Sequence, residues 1–211
     1  MIYVVNKRRK MESIWKQYPG ADIFDVTSSS TLKDARLLSP FFPHGGIPIP
    51  GDSRGMTSVS VEGIWHGLIV FENEGICLDS FNNTTMKNLK RTIRTHGKPL
   101  GHQYGVYSGE LLDYLTARIR IYLPSYKYVL DNVDSVKEFV TRIKERSLVN
   151  DIVFLDYDTN CDYLNTKAPL SHAGLLKMFI EGCYPDSEGP IIKQPTFKVN
   201  EQLQLELNFD I

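Results

Sequence analysis

The sequence has 211 residues, of which 42% are hydrophobic and 23% charged; this balance excludes a disordered or fibrous chain and suits one globular domain. The net charge of −1 excludes nucleic-acid binding by bulk electrostatics and leaves only a local basic patch. No apolar run has the length of a membrane span, and Cys77, Cys161 and Cys183 lack metal-ligand spacing. We therefore expect a cytoplasmic protein with reduced thiols and no membrane association.

The first elements of the chain predict a β-α-β unit over residues 1–37. Apolar runs at 2–5 and 23–26 predict strands, and the helix between them ends at Pro19. The polar cluster TSSST at 27–31 follows the second strand directly. Strand-to-helix loops of this kind often present hydroxyls and amides to ligands.

Residues 38–55 predict a long, stiff loop. Four prolines and four glycines in this span exclude regular structure. Phe41 and Phe42 indicate that the loop is anchored, so we expect it to form the wall of a pocket. His44, within the same loop, is a candidate ligand contact.

The next helix begins at a Ser58 or Ser60 cap. We expect Val61, Trp65 and Leu68 to form its packing stripe. Another face carries Glu62 and His66, a carboxylate and an imidazole four residues apart. Such a pair can serve proton transfer when it is partly desolvated, or it can be a weak surface pair.

Residues 84–97 predict a third helix with one basic side. A basic stripe can bind a diphosphate, although it is more often a solvated helix face. The glycine-rich turn GKPLGH at 97–102 supplies Lys98 and His102 and suits close approach of the backbone to a phosphate. The basic side of the helix carries Lys87, Lys90, Arg91 and Arg94.

The remaining segments complete one α+β (mixed α/β) domain of residues 1–211. Its helices are expected to pack around a small central sheet, with the β-α-β unit as an N-terminal extension. Pro124 is predicted to begin a new helix. Further helices are predicted over 110–123, 124–132, 134–147 and 171–181, and strands over 151–157 and 203–209.

Three aspartates, Asp156, Asp158 and Asp162, follow the predicted strand at 151–157. Ligands of α/β folds tend to lie at such strand ends. Three carboxylates can hold Mg²⁺, or they can cap the backbone of their own turn. Because the spacing lacks the pattern of a dedicated cation site, we expect a metal-free turn that approaches the pocket through Asp158 or Asp162.

Residues 38–71 resemble the paired signature of the YbiA-like (NADAR) N-glycosidase superfamily, and the chain is identified as a divergent member. The segment at 152–162 resembles a later family strand and turn, with one inserted residue that brings Asp162 into line. His66 stands where the family has glutamine, and Val70 where it has lysine. The matching positions are Ser39, Phe41, Pro43, Val61, Glu62, Trp65, Gly67 and Phe71.

The resemblance implies a YbiA-like fold and an N-glycosidase that acts on a ribosyl-phosphate or ADP-ribosyl substrate without a cofactor or metal. Glu62 would then stabilise the oxocarbenium-like state, with Asp162 as a second carboxylate and Lys98 in place of the family lysine. ADP-ribosylated nucleic acid is a further expected partner. The substrate contacts implied are Phe41, Phe42, His44, His66, Lys87, Arg91, His102 and Asp158.

Two other functions stay open. Because the family lysine is missing at Val70, the chain can instead be a catalytically inactive module that binds ADP-ribose or a nucleotide. The third hypothesis is a Mg²⁺-dependent phosphohydrolase built on Asp156, Asp158 and Asp162. The sequence does not indicate the oligomeric state.

Overall fold

The computed structural model describes residues 1–185. The strand predicted over 203–209 lies outside the described residues. Within them, eight strands form a three-stranded parallel sheet, a two-stranded hairpin and a three-stranded antiparallel sheet. The strands are β1 (Ile2–Asn6), β2 (Asp22–Asp25), β3 (Ile47–Pro48), β4 (Thr57–Ser58), β5 (Ile69–Phe71), β6 (Pro99–Gln103), β7 (Leu111–Leu112) and β8 (Ile152–Asp156).

The same part of the chain forms eight α-helices, one 3-10 helix and one π-helical segment. None of these helices has both the length and the apolar character needed to cross a membrane. The α-helices are α1 (Met11–Gln17), α2 (Lys33–Arg36), α3 (Val61–Gly67), α4 (Ile93–His96), α5 (Tyr114–Ala117), α6 (Leu123–Asn132), α7 (Asp134–Ser147) and α8 (His172–Ile180); the 3-10 helix is Leu78–Asn82 and the π segment Arg118–Tyr122.

The parallel sheet is the centre of the fold, with the strand order β1-β8-β2. Every residue of β8 is buried, as expected for a middle strand covered on both faces. On one face, Val153 and Leu155 meet Val5 of β1 and Ile14 of α1. The alternate residues of β8 join a larger core with α6, α7 and α8. The protein is thus a single α+β domain, and the predicted fold class is confirmed.

Residues 1–37 supply both outer strands of this sheet. Although β1 and β2 follow one another in sequence, β8 lies between them and runs parallel to both. The carboxyl ends of all three strands therefore meet at one edge, and so do the polar loops that follow them. This is the edge where α/β sheets commonly bind ligands.

Helix α3 is fixed by a cap and by close packing. The Ser60 hydroxyl accepts a hydrogen bond from the Gly63 amide at 3.0 Å, so Ser60 is the cap. Gly63 and Gly67 face the 3-10 helix. A Cβ atom on Gly63 would lie 2.6 Å from the Ser80 carbonyl oxygen, and one on Gly67 would overlap the Phe81 ring. The two glycines therefore allow an approach that larger residues would prevent.

The prediction of a helix over residues 84–97 is wrong. Only α4, four residues long, is helical there, and Met86 and Asn88 both have a φ of 58°, outside the right-handed helical region. The Asn83 side chain accepts hydrogen bonds from the amide and hydroxyl of Thr85. Local side-chain bonds of this kind compete with a helix. The basic residues of this segment consequently do not form a stripe.

The two helices predicted on either side of Pro124 form one continuous helical run. Helix α5 passes into the π segment and the π segment into α6 without an intervening residue. Pro124 is the second residue of α6 and follows the π segment almost directly; it has no N–H to donate to the turn before it. Short π segments are frequent at functional sites, and this one carries Arg118 and Tyr122.

Candidate functional site

A cavity of about 570 Å³ opens at the carboxyl edge of the central sheet. The loops after β1, β2 and β8 line one side of it, and α3, α5 and the π segment line the other. Residues 39–41 of the proline-rich loop contribute a further wall. The cavity thus gathers segments from the whole length of the described chain.

Glu62 lies in the cavity wall on α3 and is only 9% exposed. Its Oε2 is 3.2 Å from His66 Nε2, and the Tyr122 hydroxyl donates to Oε1 at 3.4 Å. Burial, aided by the charge of Glu62, raises the pKa of Tyr122 well above its ordinary value. Tyr122 therefore keeps its proton and remains a donor to the carboxylate. Glu62 and His66 are not an exposed surface pair.

The proline-rich loop is attached to the start of α3. The Glu62 amide donates to the Pro40 carbonyl at 3.0 Å, and Phe41 lines the cavity. Phe42 and His44 do not line it; their rings lie 4.8 Å apart. Desolvation by burial lowers the pKa of His44, outweighing the hydrogen bond to the Leu37 carbonyl. One of the two predicted aromatic contacts is therefore in the site.

Trp65 is partly buried and packs against the core, as the sequence predicts, and it also borders the cavity. Ile64, which the predicted stripe omits, is fully buried. The Trp65 ring makes edge contacts with Tyr114 and Tyr122, at centroid distances of 5.7 and 5.5 Å, and stacks on His102 at 3.9 Å. The result is an aromatic wall beside Glu62.

The predicted basic contacts mostly lie elsewhere. Lys87 and Lys98 are exposed and do not line the cavity. Arg91 donates to three backbone carbonyls, at 2.6, 2.8 and 3.5 Å, and supports the fold. His102 lies behind Trp65; burial, with a smaller effect of His66, lowers its pKa to about 3. Lys90 is the member of the predicted basic stripe that lines the cavity.

The three aspartates after β8 separate. Asp156 is buried, Asp158 is exposed where it borders the cavity, and Asp162 accepts a hydrogen bond from the Leu164 amide at 2.9 Å outside the cavity. Among the described residues, no group of three or more His, Cys, Asp or Glu side chains is placed to hold a metal ion. The expected approach of the turn to the pocket is made by Asp158, and Asp162 caps its own turn.

Asp156 forms a buried pair with His172. Its Oδ2 is 3.0 Å from His172 Nδ1 and accepts a hydrogen bond from the Ser171 hydroxyl at 2.7 Å. Burial alone would raise the pKa of Asp156, but His172 and the hydrogen bonds lower it to about 2. Nε2 of His172 faces the Val26 carbonyl at 2.9 Å. Burial opposes a charge there too, yet Asp156 raises the pKa of His172, and an acceptor at each nitrogen fits the imidazolium.

Arg118 is 2% exposed and lines the cavity. It donates to the carbonyls of Tyr163, Asn165 and Ala168 at 2.9, 2.8 and 3.2 Å, and to the Tyr114 hydroxyl at 3.2 Å. Within residues 1–185, no carboxylate lies within 4.0 Å of its nitrogens. A buried guanidinium without an anion is unusual, because burying a charge is costly.

Tyr114, Arg118 and Tyr122 are site residues that the sequence analysis missed. They follow one another at intervals of four residues, which places them on one helical side. That spacing was visible in the sequence. Aromatic residues at helical spacing usually belong to a core, so the spacing alone did not indicate a site. The structure shows that this side of the helix lines the cavity.

The fold and the cavity define a single-domain α+β protein with a polar site at the carboxyl edge of a parallel sheet. The chain belongs to the family described as "Family of unknown function (DUF6939)", whose sequence model matches residues 6–176. No curated protein and no solved structure matches the chain. All residues that line the cavity fall within the matched span, so the site is part of the family domain.

Proposed function

We propose that the protein is an N-glycosidase of the YbiA-like class that hydrolyses the bond between a ribose and a base in a ribosyl-phosphate or ADP-ribosyl substrate. The resemblance of residues 38–71 suggests the reaction, and the surroundings of Glu62 support it. Three unpaired thiols, Cys77, Cys161 and Cys183, fit the proposed cytoplasmic location.

The observation that carries the proposal is the difference between the two buried carboxylates of the described chain. Asp156 has four partners: His172, the Ser171 hydroxyl and two backbone amides. Glu62 has two, His66 at 3.2 Å and the Tyr122 hydroxyl at 3.4 Å. A carboxylate offers about four acceptor positions. Glu62 therefore keeps more acceptor capacity beside the cavity than Asp156, whose Oδ2 alone has three partners.

That capacity suits hydrolysis at an anomeric carbon. The C1–N bond breaks, the hydroxyl of water adds to C1, and the departing base nitrogen gains a proton. Glu62 stabilises the developing positive charge and accepts the proton that water gives up. We assign the proton donor to Lys90, since Lys98 and Asp162 do not line the cavity. Exchange with solvent then restores both groups.

The aromatic wall fits the leaving group. Phe41, Trp65 and Tyr114 border the cavity and offer faces and edges against which a planar base can pack. Asp158 borders it with an exposed carboxylate, suited to accept a hydrogen bond from a ribose hydroxyl. In this proposal the base packs against Trp65 and the ribose lies beside Glu62.

The test is a substrate survey read by mass spectrometry. The protein is incubated with NAD, ADP-ribose and an ADP-ribosylated oligonucleotide in water enriched in ¹⁸O. We expect one of the N-glycosides to release free base and a sugar that carries one ¹⁸O at C1. Binding without release would select the alternative, an inactive module that binds ADP-ribose or a nucleotide. That alternative is favoured by Val70, which stands at the family lysine position.

A further inference from the structure

A ribosyl-phosphate or ADP-ribosyl substrate needs a place for its phosphate, so the following inference rests on the proposed function. The sequence assigns that task to the basic stripe of residues 87–94 and to the turn GKPLGH; of these residues, Lys90 alone lines the cavity. The cations that do line it are Arg8, Lys90 and Arg118, together with the His172 imidazolium that Asp156 neutralises.

Side-chain contacts connect the three loops at the sheet edge. The Asn6 side chain after β1 donates to the Tyr157 carbonyl after β8 at 2.8 Å. The Ser29 hydroxyl after β2 lies 3.0 Å from the Tyr157 hydroxyl. Lys7 joins β1 to β2 by its bond to Asp25 at 2.6 Å. These contacts hold the three loops together, so donors on them are preorganised and little entropy is lost when an anion binds.

Arg8 is a basic residue of this sheet edge. Its guanidinium carbon lies 5.1 Å from the centre of the Tyr157 ring, and its amide is held by the Asn6 side chain at 2.9 Å. No ion pair of Arg8 occurs among the described residues. Its neighbour Lys7, by contrast, is paired with Asp25. The ring orients Arg8 without neutralising it.

Ser28 supplies unused donors on the loop whose Ser29 contacts Tyr157, the residue whose ring Arg8 covers. It lines the cavity, and neither its amide nor its hydroxyl has a partner in the described part of the chain. The adjacent Thr27 hydroxyl is already engaged with Asp25 at 2.7 Å and with Lys7 at 2.8 Å. An arginine with amide and hydroxyl donors in the same cavity is the donor set that phosphate oxygens accept.

Two carboxylates, Glu62 and Asp158, oppose an anion in this cavity. Asp158 borders the same cavity, but it is exposed, so water and salt screen its repulsion. Arg118 is buried and lacks a carboxylate partner. With the Asp156–His172 pair neutral, the cavity carries three cations, Arg8, Lys90 and Arg118, against the carboxylates Glu62 and Asp158. The balance favours an anionic ligand.

We infer that the sheet-edge side of the cavity is a phosphate subsite, in which Arg8 and the amide and hydroxyl of Ser28 hold a phosphate monoester or diphosphate. The subsite orients the substrate so that its ribose lies beside Glu62 and its base against Trp65. The loop TSSST and the N-terminal β-α-β unit thereby gain a function that the resemblance does not assign to them.

The test compares Arg8→Gln with Arg9→Gln. Both variants remove one positive charge at adjacent exposed positions, but Arg9 does not line the cavity and bonds Ser13 and Gln17 of α1 instead. Binding of pyrophosphate, ADP-ribose and ribose is measured by calorimetry at one fixed low salt concentration. We expect wild type to bind the two phosphate compounds and not ribose, Arg8→Gln to weaken binding about 10-fold or more, and Arg9→Gln about 2-fold or less. Equal weakening, or no saturable binding to wild type, would overturn the inference.

The pyrophosphate measurement is independent of turnover, because pyrophosphate carries no base linked to ribose through nitrogen. Binding that depends on Arg8, combined with no hydrolysis of any N-glycoside, would retain the subsite and reject the glycosidase. Hydrolysis with equal affinity losses in Arg8→Gln and Arg9→Gln would do the reverse. Ser28→Ala is a second variant, since it removes one donor without changing charge; we expect affinity to fall about 3-fold.

Discussion

At the scale of single residues, environment separates two buried acids that have similar intrinsic acidity. Asp156 lies at the end of β8, where the start of α8 supplies the Ser171 hydroxyl, the Ala173 amide and the His172 imidazolium. Within residues 1–185, the Glu62 carboxylate on the short helix α3 pairs with two side chains, His66 and Tyr122. The first acid is committed to the fold, and the second remains available to a substrate.

The Asp156–His172 pair should make stability depend on pH. Because the pKa of Asp156 is lowered from 3.8 to about 2, its contribution is present above its unfolded pKa and is lost as pH falls toward 2. Because the pKa of His172 is raised above 6.5, its contribution is present below 6.5 and is lost as pH rises through the raised value. Stability from the pair is thus greatest between about pH 4 and 6.5.

Asp156→Asn tests this pair. We expect the variant to lose about 2 kcal/mol of unfolding free energy near pH 5 and less at pH 9, giving a flatter profile of Tm against pH. Asp131→Asn is the control, because Asp131 forms an exposed pair with Lys127 at 2.5 Å and should change Tm little. An Asp156→Asn profile parallel to wild type between pH 3 and 9 would contradict the assignment.

Among the secondary-structure elements, α3 presents Glu62 to the cavity because its neighbouring face carries glycines in place of larger side chains. Gly63 and Gly67 let the helix lie directly on the 3-10 helix, so the helix cannot turn about its axis without a clash. The Ser60 cap and the bond from the Glu62 amide to the Pro40 carbonyl fix its start. Substitution of these glycines should therefore affect stability and the position of Glu62 together.

Gly63→Ala should destabilise the protein by about 1–3 kcal/mol, although alanine favours helices by up to about 1 kcal/mol. The new Cβ would lie 2.6 Å from the Ser80 carbonyl oxygen and 2.8 Å from the Ser58 hydroxyl. Gly75→Ala is the matched control, as its Cβ would meet no atom within 4 Å, and we expect a change below about 0.5 kcal/mol. Thermal denaturation of both variants decides. A Gly63→Ala protein as stable as wild type would refute the close packing.

Element prediction succeeded where a pattern was local and failed where side chains competed with the backbone. The hydrophobic period of α7 and the Ser171 cap of α8 are local signals, and both helices form. The segment 84–97 has apolar residues at helical spacing, yet Asn83 and Thr85 bond one another and turn the chain. Hydrophobic periodicity records the spacing of apolar side chains. It contains no information on local hydrogen bonds that compete with helix formation.

At the scale of the whole molecule, sequence order and spatial order differ. The fold class follows from the alternation of strands and helices, but the insertion of β8 between β1 and β2 joins residues about 150 positions apart, and no local pattern specifies it. The cavity depends on that insertion. For this reason Glu62, His66 and Phe41 could be predicted from one continuous motif, whereas Arg118 and Tyr122, on a distant helix, could not.

In the proposed reaction, Glu62 acts on the substrate in this cavity. Turnover of the hydrolysed N-glycoside is compared for wild type, Glu62→Gln and Glu138→Gln. Glu138 is exposed on α7, so its variant makes the same chemical change away from the cavity. We expect Glu62→Gln to keep a Tm close to wild type and to lose roughly a hundredfold or more of turnover, while Glu138→Gln retains both. Undiminished turnover by a folded Glu62→Gln protein would contradict the account.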